Sequence, residues 1–283
     1  TKVSSPPLVS ETISMIDDII NRTVDAILHS EKLQNLEASW RSLWRLVNDR
    51  NTQKNSQVKM LNITARELNK DLANAIDFDQ SHLFKLIYTE ELDQPGGEPY
   101  GLLIGDYYFS HKATTDIPDS ISTLKRISQI CSQAFLPFVS SISPALMGID
   151  SFIDLKPSID VSAIFKQNIY KRWQSLQAEN ESRFLGITLP RIIIRQPYNQ
   201  KSHRIKNKLY RESIKQHSGF LWGNPSYAYA STVLNCFENT GWLADIRGNC
   251  NREENTGGGS IHLKRNFLST DYGTNCSELT TEL

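Results

Sequence analysis

Between Glu11 and Val47 apolar residues return every three or four positions. They are Ile13, Ile16, Ile20, Val24 and Ile27, then Leu33, Leu36, Trp40, Leu43, Trp44 and Val47. That period puts them on one side of a helix and leaves Glu31, Lys32, Glu37, Arg41 and Arg45 for the other. Two indoles on one stripe call for a large buried area and a partner for each N–H. The stripe is therefore expected to be core, with a partner-binding face as the alternative. Upstream, residues 1–9 are polar with Pro6-Pro7 and read as a flexible lead-in.

The rest of the chain interleaves helices with short strands, a mixed α/β (α+β) pattern. Val58–Ile63 is a strand candidate after a sub-boundary near residues 50–57. Thr64-Ala65-Arg66-Glu67 is a capping box, with the Thr hydroxyl on the third helical amide and Glu67 reaching back, so a helix is expected to about Ala75. Ser81–Glu91 is a further short helix. The turn Pro95-Gly96-Gly97 leads into a strand over Tyr100–Phe109. Pro118–Phe135 is helical and Phe138–Ile142 a buried strand. Ile169, Trp173 and Leu176 mark another helix. Asn224-Pro225 is a helix start with Asn as cap, and Gly241 suits that helix's end. Strand-like pieces follow at Trp242–Ile246 and Ile261–Phe267.

Composition excludes whole function classes. The chain has 283 residues, 39% of them hydrophobic, which is enough for a substantial core. Lysine plus arginine and aspartate plus glutamate are both 31, and a neutral chain is a poor match for nucleic acid. One stretch departs from this: Lys201–Lys215 holds six cations against Glu212 alone, read as a solvated face or a dock for an acidic partner. No apolar run approaches the ~20 residues of a membrane span, so a cytoplasmic protein is expected. Cys131, Cys236, Cys250 and Cys276 lack zinc or redox spacing and are expected to be reduced.

Catalytic chemistry finds little purchase. There is no phosphate-loop pattern, no H-E-x-x-H and no G-x-S-x-G. The six histidines are scattered. The Glu90-Glu91-Asp93 cluster is the one carboxylate set to weigh for acid–base work, with Asp77 and Asp79 behind it; an acidic run beside a Pro-Gly-Gly turn is more simply a solvated surface. No metal, cofactor or catalytic residue is assigned.

Four segments in fixed order carry more. They are the early helix with Leu36, Trp40 and Arg41; the turn Gly96-Gly97-Glu98-Pro99 running on to Gly105; Leu185–Tyr198 with Gly186, Pro190, Arg191, Pro197 and Tyr198; and Leu221-Trp222-Gly223-Asn224. Pro190 and Pro197 bracket an Ile-Ile-Ile run that belongs in a buried element. Together the segments resemble the large subunit of the type VI secretion contractile sheath, over roughly Asp25 to Gly259.

The resemblance implies a phage-tail-sheath-like structural subunit rather than an enzyme. Its partners would be the small sheath subunit, further sheath protomers, the inner-tube protein and an AAA+ ATPase that recycles the contracted form. It also implies that residues 10–283 are the N-terminal and middle region of a longer subunit, with the C-terminal sheath-core part beyond Leu283. Two other readings are a non-polymerising adaptor of the same fold and a hydrolase using Glu90, Glu91 and Asp93.

Overall fold

The computed structural model describes residues 7–49, 56–114, 117–154, 161–198, 210–214, 217–243, 246 and 270–271. The two amphipathic stretches are separate helices, α1 (Pro7–Leu28) and α2 (Glu31–Asp49), joined through His29 and Ser30. Of the expected lead-in, residues 1–6 lie outside the described residues, and Pro7 to Val9 are already helical. Proline is well placed there, since its missing N–H falls among the amides a helix start leaves unbonded. The expected sub-boundary lies largely outside the described residues.

The capping box forms as read. Thr64 Oγ1 accepts from Glu67 N–H at 3.2 Å, and Glu67 Oε2 accepts from Thr64 N–H at 2.9 Å, opening α3 (Ala65–Asn74). A single turn, α4 (His82–Phe84), then widens into a π-helical turn over Lys85–Thr89. Val58–Ile63 is a correction: it joins no sheet among the described residues. A strand needs a neighbouring ladder, and this segment makes side-chain contacts instead, with Lys59 on Glu91 and Ile63 O accepting from Tyr107 OH.

The centre is a parallel sheet in the order β1 (Leu103–Phe109), β2 (Phe138–Ile142), β3 (Leu185–Thr188). Between β1 and β2 runs α5 (Ser120–Gln133); between β2 and β3 run α6 (Val161–Phe165) and α7 (Lys171–Gln177). Crossovers of one hand along a sheet that grows one way place their helices on one face, and α5 and α7 do pack together. Ile127, Ile130, Leu72, Phe109 and Phe152 form the main core there. β2, covered on both sides, is buried at every residue. Cys131 and Cys236 are both buried and outside any disulfide, the Cys236 thiol donating to the Trp242 carbonyl.

A second, antiparallel pair, β4 (Ile192–Arg195) and β5 (Leu221–Gly223), meets α2 and the last helix, α8 (Ser226–Thr240). Its small core is Ala38, Ile192, Ile194, Leu221 and Ala228, so the proline-bracketed isoleucine run is buried. α8 also lies across the parallel sheet, joining the two halves. Gly241 ends it with φ +72°, and Trp242 and Leu243 continue in a bend rather than the expected strand. Ile261–Phe267 lies outside the described residues.

Two glycines in the turn before β1 have distinct reasons. Gly96 has φ +86°, a left-handed conformation. A Cβ on Gly97 would stand 2.1 Å from the Glu91 carbonyl oxygen, whereas one on Gly101 meets nothing within 4 Å. Gly97→Ala is therefore expected to lower stability by about 1–3 kcal/mol. Gly101→Ala should be neutral or slightly stabilising, checked by denaturant unfolding of both variants.

Candidate functional site

Three of the four sequence segments converge between the two sheets, although long stretches of chain separate them. Arg195, at the end of β4, is 6% exposed in its side chain and forks onto Glu212, itself 2% exposed. Nη1 donates to Oε2 at 2.7 Å and Nη2 to Oε1 at 3.3 Å. The third guanidinium edge reaches α2, where Nε donates to Glu37 Oε1 at 3.0 Å. The planar fork also lies over the Tyr198 ring at 4.1 Å. Glu37 takes a second bond from Arg41 at 2.6 Å, and Arg41 donates to Tyr198 OH at 2.9 Å.

Glu212 is further held by Tyr198 N–H at 2.9 Å and by the His29 ring at 3.2 Å, while Tyr210 donates to Asp25 of α1. Burial alone would push the Glu212 carboxyl up. The charge-assisted bonds from Arg195 and the Tyr198 amide outweigh it and hold the carboxyl below its ordinary range. Of the basic stretch, residues 201–209 and 215 lie outside the described ones. The described part, 210–214, is the strap that brings Glu212 to Arg195.

A second junction joins the sheets. The β1–β2 register slips between Gly105 and Tyr108, a bulge that turns the Gly105 and Tyr107 carbonyls off the ladder. Buried Asn224 donates to both, at 3.4 and 3.3 Å, and its own Oδ1 accepts from Ser226 N–H at 2.9 Å. Ser140 Oγ stands 2.9 Å from the same two carbonyls. Asn224 thus closes the bulge and turns the chain into α8, but the expected cap is a correction: Pro225 holds the cap position, Ser226 is the first helical residue, and no side chain caps the helix. Nearby Asp106 accepts from Ser39 of α2 at 2.5 Å and from Tyr227 of α8 at 3.3 Å.

Arg191 donates to buried Asp271 at 2.7 Å and stands over the Trp222 ring. Trp222 donates its indole N–H to His217 O at 2.9 Å. Gly186 lies on β3 against Val139, and the Leu189–Pro190 bond is cis. Pro197 is half-buried between Arg195 and Tyr198. The Gly96–Pro99 turn stands apart. There Glu91 accepts from Lys59 at 2.6 Å, from Glu98 N–H at 3.1 Å and from Tyr100 OH at 3.2 Å. The Lys59 bond, first of all, keeps this carboxyl low. A carboxylate committed to three donors is a clamp on the turn and a poor base.

Residues 10–283 match the VipB family, described as EvpB/VC_A0108, tail sheath N-terminal domain. The chain belongs to the VipB tail sheath family. It is also 35% identical over 244 residues to the type VI secretion system sheath protein TssC1 of Pseudomonas aeruginosa (strain PAO1). That match takes in 85% of this chain and 48% of TssC1, so the chain spans about half the length of the curated relative it matches.

In this VipB-family chain, the outward side of α2 is the second correction. The face that seats on the body is Ala38, Ser42 and Leu46, while Trp40 is 56% and Trp44 68% exposed. The reason is close approach. A Cβ on Gly223 would stand 2.3 Å from Ile194 and 3.4 Å from Ser42 Oγ, so the helix lies too near β5 for anything larger than Ala or Ser. Leu36 faces outward with the indoles. Among the described residues no group of three His, Cys, Asp or Glu is placed to hold a metal, and no helix is long and apolar enough to cross a membrane.

The Arg195–Glu212–Glu37 cluster was not legible in sequence, because its members lie 17 and 158 residues apart. The one available signal was a lone Glu inside a basic run. Glu212→Ala is expected to cost about 3 kcal/mol by denaturant unfolding near neutral pH, since it leaves the buried guanidinium with Glu37 as its one remaining carboxylate. The depressed folded pKa means this contribution is whole above the ordinary carboxylate range and is lost as pH falls through the folded value. The gap between the unaltered chain and Glu212→Ala should therefore close on acidification below about pH 4.

Proposed function

We propose that this chain is part of the large subunit of a contractile secretion sheath in the bacterial cytoplasm. It pairs with a small sheath subunit, the pair polymerises around an inner tube, and contraction of the polymer propels that tube. An AAA+ ATPase then recycles the contracted sheath. The chain performs no catalysis itself; its work is stored in subunit contacts that have discrete alternative arrangements.

The observation that carries the reading is the family match over residues 10–283. The geometry supports it. The glycines, Asn224 and the arginine clusters of the four segments fix backbone to backbone, and the largest side chains of α2 are turned outward. That is the economy of a subunit whose surface does the work. Glu91, the carboxylate best placed for acid–base chemistry, is spent on Lys59 and the turn.

The test is to co-purify the full-length protein with the small sheath subunit and image the product by negative stain. Hollow tubes are expected. A soluble one-to-one complex without tubes would instead make the chain an adaptor, and no complex at all would overturn the sheath reading.

A further inference from the structure

From Val9 to Leu28 no residue of α1 is buried, although α1 is 22 residues long. Ile20, Asn21, Val24, Asp25 and Leu28 are half-buried, a narrow stripe along the last turns, and Val9 to Ile19 are all exposed. Two side-chain bonds fasten the end that carries the stripe, and both go to the strap 210–214. Tyr210 OH donates to Asp25 Oδ1, and the His29 ring stands 3.2 Å from Glu212 Oε1. Burial, first of all, and the bond to Asp25 raise the Tyr210 phenol well above its ordinary range, so it stays a donor. The strap is itself fixed to the end of β4. Glu212 N–H donates to Tyr198 O at 2.9 Å, and Tyr198 N–H returns a bond to Glu212 Oε2 at 2.9 Å.

The two oxygens of Glu212 have different duties. Oε2 takes the short bonds, 2.7 Å from Arg195 and 2.9 Å from Tyr198. Oε1 takes the long ones, 3.3 Å from Arg195 and 3.2 Å from His29, at or beyond the long end of the usual range. α1 therefore hangs on the looser oxygen, and its departure leaves the Arg195 pair in place. The joint between the helices is equally separable. Ser30 N–H donates back to Ile27 O at 3.1 Å, and Gln34 N–H donates to Ser30 O at 2.9 Å, so each helix closes its own end. α2 has a seat made without α1: Ala38 and Ser42 against the body, Glu37 on Arg195 and Ser39 on Asp106.

We propose that the strap 210–214 is a latch on α1. With the Tyr210–Asp25 and His29–Glu212 bonds made, α1 lies against the body. With them broken, α1 leaves as a unit, pivoting at His29-Ser30, while α2 stays seated. This is a two-position device, and it lets α1 move without disturbing the Arg195 cluster. It holds whether or not the chain polymerises. The competing hold is the stripe itself, through Ile20, Val24 and Leu28. A released helix is marginal in water, so release is read as lost amide protection.

Native-state hydrogen exchange on the full-length protein tests the latch. In Tyr210→Phe, which removes one hydroxyl, amides 20–28 should exchange about tenfold faster. His29→Ala/Tyr210→Phe should raise this further. Asp25→Ala should match Tyr210→Phe, and Asp25→Ala/Tyr210→Phe should be no faster than either alone, because the two residues make one bond. Asp25→Asn keeps the acceptor oxygen and should lose less protection than Asp25→Ala. α2, β4 and α5 should exchange throughout as in the unaltered protein. Unchanged exchange of residues 20–28 in His29→Ala/Tyr210→Phe would assign the hold to the apolar stripe and overturn the latch. Faster exchange that spreads into α2 or α5 would mean that α1 does not release by itself, and would overturn it as well.

Discussion

One guanidinium organises the outer half of this molecule. Arg195 ends a strand of three buried isoleucines, and its planar fork meets Glu212 along one edge and Glu37 along another. Removing that charge from water is costly, and a single carboxylate would repay it poorly. Here two carboxylates, the Gln196 carbonyl at 3.1 Å and the Tyr198 ring share the burden. The partners come from three pieces of chain: α2, the strap 210–214, and the residues just after β4. The cluster is less a source of net stability than a rule of registry, because a shifted α2 would leave a buried charge without its partner.

That registry decides which way α2 faces. Ala38 and Ser42 lie where β5 presents Gly223, and only small residues fit. The indoles then have nowhere to go but outward. The second junction, at Asn224, works by the same economy. A bulge in β1 frees two carbonyls, and one amide side chain answers both while accepting from the first amide of α8. The parallel sheet is thereby tied to the antiparallel pair through backbone groups, which hold position more firmly than side-chain packing alone.

Local signals were read well from sequence. The Thr64–Glu67 box, the Pro95-Gly96-Gly97 turn, the apolar register of α5 and the proline-bracketed isoleucines each owe their conformation to residues within a few positions. What depends on a distant neighbour was not legible. Val58–Ile63 has strand composition but no ladder to join among the described residues. The period of α2 gave its axis and its stripe. It did not say that the stripe would be the outward one, which is set by Gly223, some 180 residues later. The Arg195 cluster is distant in the same way, and of the carboxylates singled out for chemistry at Glu90–Asp93, Glu91 clamps the neighbouring turn.

The central role of Arg195 is most directly tested by native-state hydrogen exchange on the full-length protein and its Arg195→Met variant. Loss of the fork should raise exchange of α2 and residues 210–214 by about tenfold or more, while α5 and β2, in the other core, keep their protection. Unchanged protection of α2, or an equal loss across α5 and β2, would contradict the view that this one side chain docks α2 and fixes the direction it faces.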